Sequence, residues 1–553
     1  MMEIQRFVLF VVFSFSLLLL WEAWQKDQHA QQPSAVTTPQ GSVSGKNSVP
    51  APGNVASVPE LRPGVAKALD SVPSQPSPNQ AHERILVQTD TLRAEIDTLG
   101  GDIVSLELLE HLHPEDREKN VVLLGPQHRY VTQTGLIGDG LPNHRTLYTA
   151  TDRQHVLTPG QETLDIPLEA SGGGAKVRKT ITFHRNSYLI DIVQEVSNAG
   201  NVPLVTHAYA QVIRDGKAPD GTQAMSSTYT GPAVFTEQDK FHKITFSDID
   251  SKPFSKTADN GWIAMLQHYF VVALVPSDKQ TREFYTRKLG EDTYAAGVIL
   301  PIAAIAPGAT GNVKLSMYAG PEQQDKLRTI APGLDLVVDY GWLTVIAAPL
   351  FWILQFFHGW LGNWGLAIIF LTVLIKLIFY PLSAASYRSM AKMKQVTPRL
   401  TKIREQYAED RMKQNQAMME LYKEEKINPL GGCLPIVVQI PVFIALYWVL
   451  LASVELRQAP FYGWIHDLST ADPYYILPAL MMASMIVQTR MSPMPPDPVQ
   501  AKVMQIMPLV FGVMFFVFPA GLVLYWLVNN VLSILQQWHI TRNLRQPVMT
   551  AKR

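Results

Sequence analysis

Apolar residues follow three different patterns along this chain, and the first is a continuous run near the N-terminus. Residues 7–20 are apolar apart from two serines, and Trp21 and Trp24 follow them. With its flanks this run approaches the roughly 20 residues that a helix needs to cross a bilayer. Because no cleavage site with small residues follows it, we interpret residues 1–26 as a transmembrane signal anchor that is retained, and not as a cleaved signal peptide.

The second pattern is alternation, and it covers residues 84–340. Runs such as 179–184 and 189–196 alternate apolar and polar residues, and Gly, Pro, Asn and Asp separate the runs. Period-two alternation is typical of strands with one buried face. We therefore predict a large all-β domain, an antiparallel sandwich, across this region. Residues 27–83 are rich in Pro, Ser, Gln, Val and Gly, and their composition predicts a flexible linker.

The third pattern, long apolar runs separated by short charged segments, covers residues 341–545. It predicts a polytopic α-helical membrane core that begins with an interfacial helix at 341–358. Five transmembrane spans are predicted at about 364–382, 430–451, 474–490, 503–518 and 522–540. The charged segment 383–428 has the periodicity of two amphipathic helices in a hairpin, with a break near 408–410. Residues 546–553 form a tail.

The distribution of basic residues predicts the orientation of these spans. Segment 383–428 carries ten Lys or Arg against six acidic residues, whereas loop 452–472 carries only Arg457. Cytoplasmic loops are enriched in Lys and Arg, so the hairpin and both chain termini are predicted to be cytoplasmic. Residues 27–340 then lie on the opposite side. If the helix at 341–358 also crossed the membrane, the β-domain would share the basic side, so we predict that this helix lies in the outer interface.

The sequence shows none of the usual catalytic signatures. It lacks a Gly-x-x-x-x-Gly-Lys-Ser/Thr loop, a His-Glu-x-x-His motif and a Gly-x-Ser-x-Gly motif. The single cysteine, Cys433, excludes a disulfide within the chain. We therefore expect no enzymatic activity, no catalytic residues, no cofactor and no metal, and no sequence-specific nucleic-acid binding.

Lys376 is the most informative candidate for a functional residue. It lies inside a predicted span that contains no acidic residue. A charge within a span costs roughly 2.5–3.5 kcal/mol on insertion scales, so it is expected to face water or a partner. Thr372 and Tyr380 are four residues before and after it, on the same helical face. Lys376 is also close enough to Pro381 for its side chain to extend to the inner interface, and this alternative stays open.

Polar residues also occur in the other predicted spans. The last span carries a stripe at helical spacing that consists of Trp526, Asn530, Ser533 and Gln537. Gln439 and Ser484 are polar residues of the second and third spans. Such side chains often hold membrane helices together. Together with an unpaired cation, however, they favour a hydrated cavity that opens toward the cytoplasm.

The hairpin at 383–428 is a candidate for partner binding. Its candidate contact residues are Arg388, Lys392, Lys394, Met418 and Met419. Methionines provide adaptable apolar surface, and the basic residues suit anionic partners. A solvated hairpin near anionic lipid explains the same composition equally well.

Several long motifs resemble the YidC/Oxa/Alb family of membrane protein insertases, in particular the YidC members of Gram-negative bacteria. One of them is Asp-Pro-Tyr-Tyr-Ile-Leu-Pro at 472–478. The others lie at 428–443, 453–461, 464–468 and 518–525 in the helical region, and at 260–270 and 338–342 in the β-region. The resemblance covers nearly the whole chain beyond the linker.

The resemblance implies a bacterial inner-membrane insertase and chaperone that inserts and helps to fold nascent membrane proteins, alone or with the Sec translocon. It implies a five-helix core around a hydrophilic groove that is open to cytoplasm and lipid, and a periplasmic β-supersandwich. The implied partners are nascent membrane proteins, the Sec translocon and the ribosome, with the signal recognition particle receptor and anionic lipids as further candidates.

The resemblance also implies which residues line the groove. They are Lys376, Thr372, Gln439, Tyr525, Trp526, Asn530 and Ser533, with Ile440 and Phe443 on the apolar side. The family commonly has arginine at the position of Lys376 and tyrosine at that of Trp526. Lysine keeps the charge but lacks the rigid guanidinium fork, so a groove that needs only a point charge is retained.

Two other functions are compatible with parts of the sequence. A solute transporter or channel could use Lys376 as an anion site, although we find no internal repeat of the kind common in transporters. A membrane-anchored carbohydrate-active β-domain is the other, although the sequence offers no convincing carboxylate pair for it.

Overall fold

The computed structural model describes residues 82–114, 116–219, 228–408, 410–425, 434–492 and 498–545. The predicted anchor at 1–26, the linker up to residue 81 and the tail at 546–553 lie outside the described residues.

The N-terminal half of the described chain is built from strands that alternate buried and exposed residues, as in β8 and β9. The strands are β1 Arg84–Gln88, β2 Leu92–Asp97, β3 Asp102–Leu112, β4 Asn120–Leu124, β5 Val131–Ile137, β6 Thr149–Ala150, β7 Gln154–Val156, β8 Thr163–Gly172, β9 Ala175–His184, β10 Leu189–Asn198, β11 His207–Asp215, β12 Gly231–Thr236, β13 Lys240–Lys243, β14 Ser255–Ala258, β15 Trp262–Gln267, β16 Phe270–Pro276, β17 Arg282–Gly290, β18 Thr293–Pro301 and β19 Thr310–Pro321.

These strands form two large sheets. One has the order β14-β17-β18-β11-β5-β3-β2-β1-β7, with β4 beside β3, and the other has the order β13-β12-β15-β16-β19-β10-β9-β8-β6. Neighbouring strands pair antiparallel, as β9 and β10 do, whereas β1 and β7 are parallel. One apolar core contains residues of both sheets, so the domain is a two-layer sandwich.

A buried lysine joins the two sheets. Lys179 of β9 is fully buried, and its Nζ donates to the carbonyl oxygen of Thr134 (3.2 Å) in the other sheet and to that of Gly100 (2.6 Å) in the turn between β2 and β3. The ammonium group also lies 4.7 Å from the centroid of the Tyr148 ring. A buried charge is tolerated only when it is hydrogen-bonded, and burial lowers the pKa of Lys179.

The C-terminal half is helical. The helices of the described residues are α1 Phe246–Ser251 and α2 Gln324–Ile330 in the β-domain, followed by α3 Thr344–Leu361, α4 Trp364–Ile378, α5 Tyr380–Gln406, α6 Arg411–Glu424, α7 Leu434–Ala452, α8 Ile476–Met491, α9 Pro498–Met514 and α10 Ala520–Arg545. A β-rich region followed by a helical region confirms this part of the predicted fold class.

The helices differ in how well they match a complete membrane span. Among the described residues, Gly341–Leu361, which includes α3, is the one helical segment long and apolar enough by itself. Helices α4 and α5 satisfy the criterion as a pair, but they are bent by 66° at Phe379. The predicted span at 364–382 therefore consists of α4 and the first turn of α5. Segments Val438–Ala452, Ile476–Met491 and Ala501–Val517 are apolar but shorter.

Helix α3 corresponds to the helix predicted at 341–358. Its exposed side carries large apolar residues, with Trp352, Phe356 and Trp360 between 63% and 72% exposed. Its other side, with Leu350 and Leu354, is buried. Tryptophan is enriched where membrane proteins meet the bilayer interface, so the exposed side of this helix suits contact with lipid.

The buried histidine His144 makes the stability of the β-domain depend on pH. It lies against Tyr209, and burial lowers the pKa of His144 to about 4. Between pH 6.5 and 4, His144 is protonated in the unfolded chain but neutral in the folded chain. The free energy of unfolding that is present above pH 6.5 therefore decreases as the pH falls through this range. The loss is on the order of 3 to 4 kcal/mol, at ~1.4 kcal/mol per pKa unit. We predict that His144→Gln reduces the fall in melting temperature between pH 7 and 4.5.

The measurement is thermal unfolding of the full-length protein in detergent at several pH values. His155→Gln, in the short edge strand β7, is the matched control for the loss of an imidazole from the β-domain. Equal pH dependence in His144→Gln and the unsubstituted protein would contradict this role of His144.

Candidate functional site

Lys376 lies at the C-terminal end of α4 and contacts the last helix. The Asn363 side chain caps the start of α4, and Lys376 lies in the last turn, where helix carbonyl groups favour a cation. Its Nζ donates to Oγ of Ser533 on α10 at 2.8 Å. None of the ion pairs within the described residues includes Lys376. Thr372 is buried and donates to its own helix at the carbonyl oxygen of Ile368 (2.6 Å).

Ser533 is the centre of a polar network between four helices. The Ser533 hydroxyl donates its proton to the Asn529 carbonyl oxygen at 2.7 Å. The lone pairs of the Ser533 Oγ are therefore free to accept the bond from Lys376. Tyr387 of α5 is also within hydrogen-bonding reach of Ser533. The Asn529 side chain in turn accepts a bond from Nε2 of Gln439 on α7 at 2.6 Å. Polar groups of α4, α5, α7 and α10 are therefore linked to Lys376 through Ser533 and Asn529.

Aromatic residues form an apolar wall next to this network. The Phe443 ring lies edge-on to Trp526, with centroids 4.4 Å apart, and is stacked on Tyr525 at 6.2 Å. Trp526 also contacts Phe515, at 5.1 Å between ring centroids. Ile440, one turn before Phe443, is 48% exposed. An exposed apolar residue beside partly buried aromatics suits contact with lipid or with an apolar ligand.

The polar stripe predicted on the last span divides into two stripes with different neighbours. Asn530 is buried and donates to Oγ of Ser484 on α8 at 3.1 Å. Gln537 donates to the Met491 carbonyl oxygen at the end of α8, at 3.3 Å. These residues hold α8 and α10 together. Of the predicted stripe, Ser533 contacts Lys376.

Two residues of the network were not among the predicted groove residues, namely Asn529 and Tyr387. A spacing of four connects Tyr525, Asn529 and Ser533, so these three share one helical face, and this spacing was available in the sequence. Tyr387 gave no such signal. It lies in a segment predicted to be a charged cytoplasmic hairpin, and only the 66° bend between α4 and α5 places it beside α10.

A loop covers the opposite end of the core. We call residues 453–475, between α7 and α8, the cap loop. Asp472 is buried and accepts bonds from the Trp464 indole (2.9 Å) and from a backbone amide of the first turn of α8 (2.7 Å). Phe461 packs so closely on Gly365, at the start of α4, that no Cβ fits there. Lys376 is about 17 Å from Gly365 along the helix.

The cap loop also holds the start of α10. The backbone N–H of Ala520 donates to the Thr470 carbonyl oxygen at 2.7 Å, and that of Gly521 donates to Leu468 at 2.9 Å. The first amides of a helix lack partners within the helix, and here the cap loop supplies them. The two helices that bring Lys376 and Ser533 together are therefore fixed by one loop at their other ends.

The charged hairpin consists of α5 beyond the bend and α6. Its small apolar core is formed by Val396, Leu400 and Leu421. Met418 packs against this core, whereas Met419 is 52% exposed. The basic residues Arg388, Lys392 and Lys394 are exposed.

The family model described as YidC periplasmic domain matches residues 84–353, and the model described as 60Kd inner membrane protein matches residues 356–547. Membrane protein insertase YidC of Dechloromonas aromatica is 55% identical over 545 residues, which cover 98% of this chain and 97% of that protein. The chain belongs to the YidC family of membrane protein insertases.

Other YidC proteins agree over the whole length. The YidC of Aromatoleum aromaticum is 53% identical over 557 residues, which cover 100% of both chains. A crystal structure described as an active YidC insertase with its first transmembrane domain resolved is 18% identical, with a TM-score of 0.39, over 83% of this chain and 92% of the other.

YidC membership confirms the resemblance inferred from the motifs and shows that this chain is a membrane protein insertase. The family implies an inner-membrane protein with a periplasmic domain, and it acts on nascent membrane proteins. The transporter alternative is not supported.

Asn530 and Gln537, which contact α8, are expected to differ in function from Ser533, which contacts Lys376. We predict that Asn530→Ala destabilises the helical core by about 1 kcal/mol, the usual size of a polar contact between membrane helices, but leaves most insertion activity. Denaturant unfolding in mixed micelles and insertion by reconstituted vesicles measure the two effects. Leu535→Ala, on an exposed position of the same helix, is the control. Loss of insertion without loss of stability would place Asn530 among the residues that act on substrate.

Proposed function

We propose that substrates pass through a hydrophilic groove centred on Lys376, where α4, α5, α7 and α10 meet. The observation that supports this proposal is the contact between Lys376 and Ser533. This contact holds a cation inside an apolar helical core, and the cation has no ion-pair partner among the described residues. The aromatic wall of Phe443 and Trp526, with the exposed Ile440, forms the apolar side of the path.

The charge and its neighbours suggest how a polar segment crosses. A hydrated groove in the inner half of the membrane shortens the low-dielectric path that a short polar tail has to cross. Lys376 attracts acidic residues of that tail, because a charge in a low dielectric acts more strongly than in water. Apolar substrate residues then leave sideways into lipid, driven by roughly 25 cal/mol for each Å² of apolar surface removed from water.

We propose the following membrane arrangement. The N-terminal anchor and five spans cross the inner membrane, with both chain termini in the cytoplasm and residues 27–340 in the periplasm. Helix α3 lies in the outer interface, which its exposed tryptophans support. The cap loop then faces the periplasm and closes the groove on that side, while Lys376 and the hairpin lie toward the cytoplasm.

The hairpin is the proposed contact for cytoplasmic partners. Its exposed basic residues Arg388, Lys392 and Lys394 suit the ribosome, the signal recognition particle receptor or anionic lipid, all of which present negative charge. The exposed Met419 adds apolar surface. We further propose that the protein acts both alone and with the Sec translocon, and that it helps inserted proteins to fold.

The charge of Lys376 is the first property to test. We predict that Lys376→Ala lowers the insertion of a single-span substrate with an acidic translocated tail by about tenfold, as expected for losing ~1.4 kcal/mol of attraction. Lys376→Arg should insert at a level close to that of lysine, because it keeps the charge. Protease protection of the tail in reconstituted vesicles measures insertion.

Two controls isolate the charge. Lys502→Ala removes an exposed cation of α9 and should have no effect. A substrate whose tail carries Asn and Gln in place of Asp and Glu should depend little on Lys376. Equal insertion of the acidic tail by Lys376→Ala and the unsubstituted protein would refute the groove charge.

A further inference from the structure

One backbone position of the β-domain, at Leu112, is bound by two side chains of the helical core. Leu112 is the last residue of β3, and its carbonyl oxygen accepts bonds from Nε2 of Gln458 (2.9 Å) and Nη2 of Arg457 (2.5 Å) in the cap loop. The Leu112 N–H also donates to Oε1 of Gln458 at 3.4 Å. The end of a strand is thus bound by side chains of the core in the way that a neighbouring strand would bind it.

Gln458 and Arg457 are held in position by contacts with the cap loop and with the β-domain, respectively. Gln458 has a φ of 58°, in the left-handed region that non-glycine residues rarely adopt. Its N–H donates to Asp467, whose carboxylate also accepts both the N–H and the hydroxyl of Ser469. The Arg457 guanidinium lies 5.5 Å from the centroid of the Phe270 ring in the β-domain. A strained backbone persists where the surroundings determine it strongly.

The same loop continues directly to the groove helices. Leu468 and Thr470 flank Ser469, and their carbonyl oxygens accept the first free amides of α10, those of Gly521 and Ala520. Phe461, three residues after Gln458, packs on the start of α4. An unbroken series of contacts therefore leads from β3 through Gln458 and Asp467 to the ends of the two helices that carry Ser533 and Lys376.

We propose that Arg457 and Gln458 are positioning residues for insertion. By binding the end of β3 they make the β-domain a brace for the cap loop, and the cap loop fixes the ends of α4 and α10. The brace keeps the groove closed at this end while the helices separate around a substrate at the other end. This inference rests on the proposed groove and gives the β-domain a role in it.

A neighbouring ion pair also connects the β-domain to the cap loop, but it is expected to contribute little to their attachment. Arg117 of the β-domain lies 4.0 Å from Asp467, and its side chain is 54% exposed. Asp467 is buried and already accepts three hydrogen bonds, so this long contact with an exposed arginine contributes little to stability. Arg117→Gln therefore removes a charge from the junction without removing the brace, and it serves as the matched control.

The test uses the full-length chain reconstituted in lipid vesicles, with Gln458→Asn and Arg457→Met as the variants. Asparagine adopts the left-handed conformation readily, so the backbone is retained, but its side chain is one methylene shorter and does not span the distance to Leu112. If Arg457→Met does not fold, the result for Gln458→Asn alone tests the proposal. Arg457→Lys keeps one donor for the Leu112 carbonyl and is therefore expected to retain most of the insertion activity that Arg457→Met loses.

Hydrogen exchange of the peptide that contains Ala520 and Gly521 measures the position of α10 directly. We expect exchange there to rise about fivefold in the brace variants, the factor that corresponds to one lost net hydrogen bond. The middle of α8 should exchange as before. Insertion of the acidic-tail substrate should fall by a similar factor, whereas Arg117→Gln should change neither quantity.

The inference is overturned if the brace variants exchange and insert like the unsubstituted protein. It is also overturned if insertion falls while exchange at the start of α10 is unchanged. Lys376→Ala, assayed in parallel, separates this result from a failure of the groove itself: full activity of the brace variants with low activity of Lys376→Ala rejects the brace and retains the groove.

Discussion

A charge inside an apolar helical bundle has to be surrounded by groups that form hydrogen bonds with it, and the rest of the helical core is arranged around this requirement. Within the described part of the chain, Lys376 meets it with Ser533 on a neighbouring helix and not with an acid. An acidic partner would neutralise the site, whereas a hydroxyl group solvates the ammonium and leaves its charge available. The network around Asn529, Gln439 and Tyr387 then brings four helices to one point, so packing of the core and presentation of the charge are the same structural feature.

The core is fixed at one end and polar at the other. At the cap-loop end, backbone amides of α10, a glycine of α4 and the buried Asp472 are all engaged by one loop. At the Lys376 end, contacts are made by side chains, and side chains can exchange one partner for another without unfolding a helix. In the proposed groove, this difference in the kind of contact would let one end hold its geometry while the other accommodates substrates of different sequence.

Sequence reasoning predicted the two-part architecture because period-two alternation and long apolar runs are unambiguous over such lengths. It also identified Lys376 and Ser533, because an ionisable residue in a span is costly enough to indicate function. It did not separate Asn530, which packs on α8, from Asn529, which joins Gln439, because adjacent residues of one helix have similar composition and differ only in direction. Tyr387 and the brace at Leu112 depend on a bend and on contacts between residues hundreds of positions apart, and no local pattern encodes those.

The buried lysine of the sandwich has a consequence for how the β-domain comes apart. Lys179 is bound to the carbonyl group of Thr134 in the opposite sheet and to that of Gly100 in the turn before β3, so a small separation of the two layers breaks these bonds before water can reach the ammonium group. Partly opened states that stay dry are therefore disfavoured, and the two layers are expected to separate in one cooperative step. Fraying is expected first in the short edge strand β13, which lies six places from β9 in the strand order.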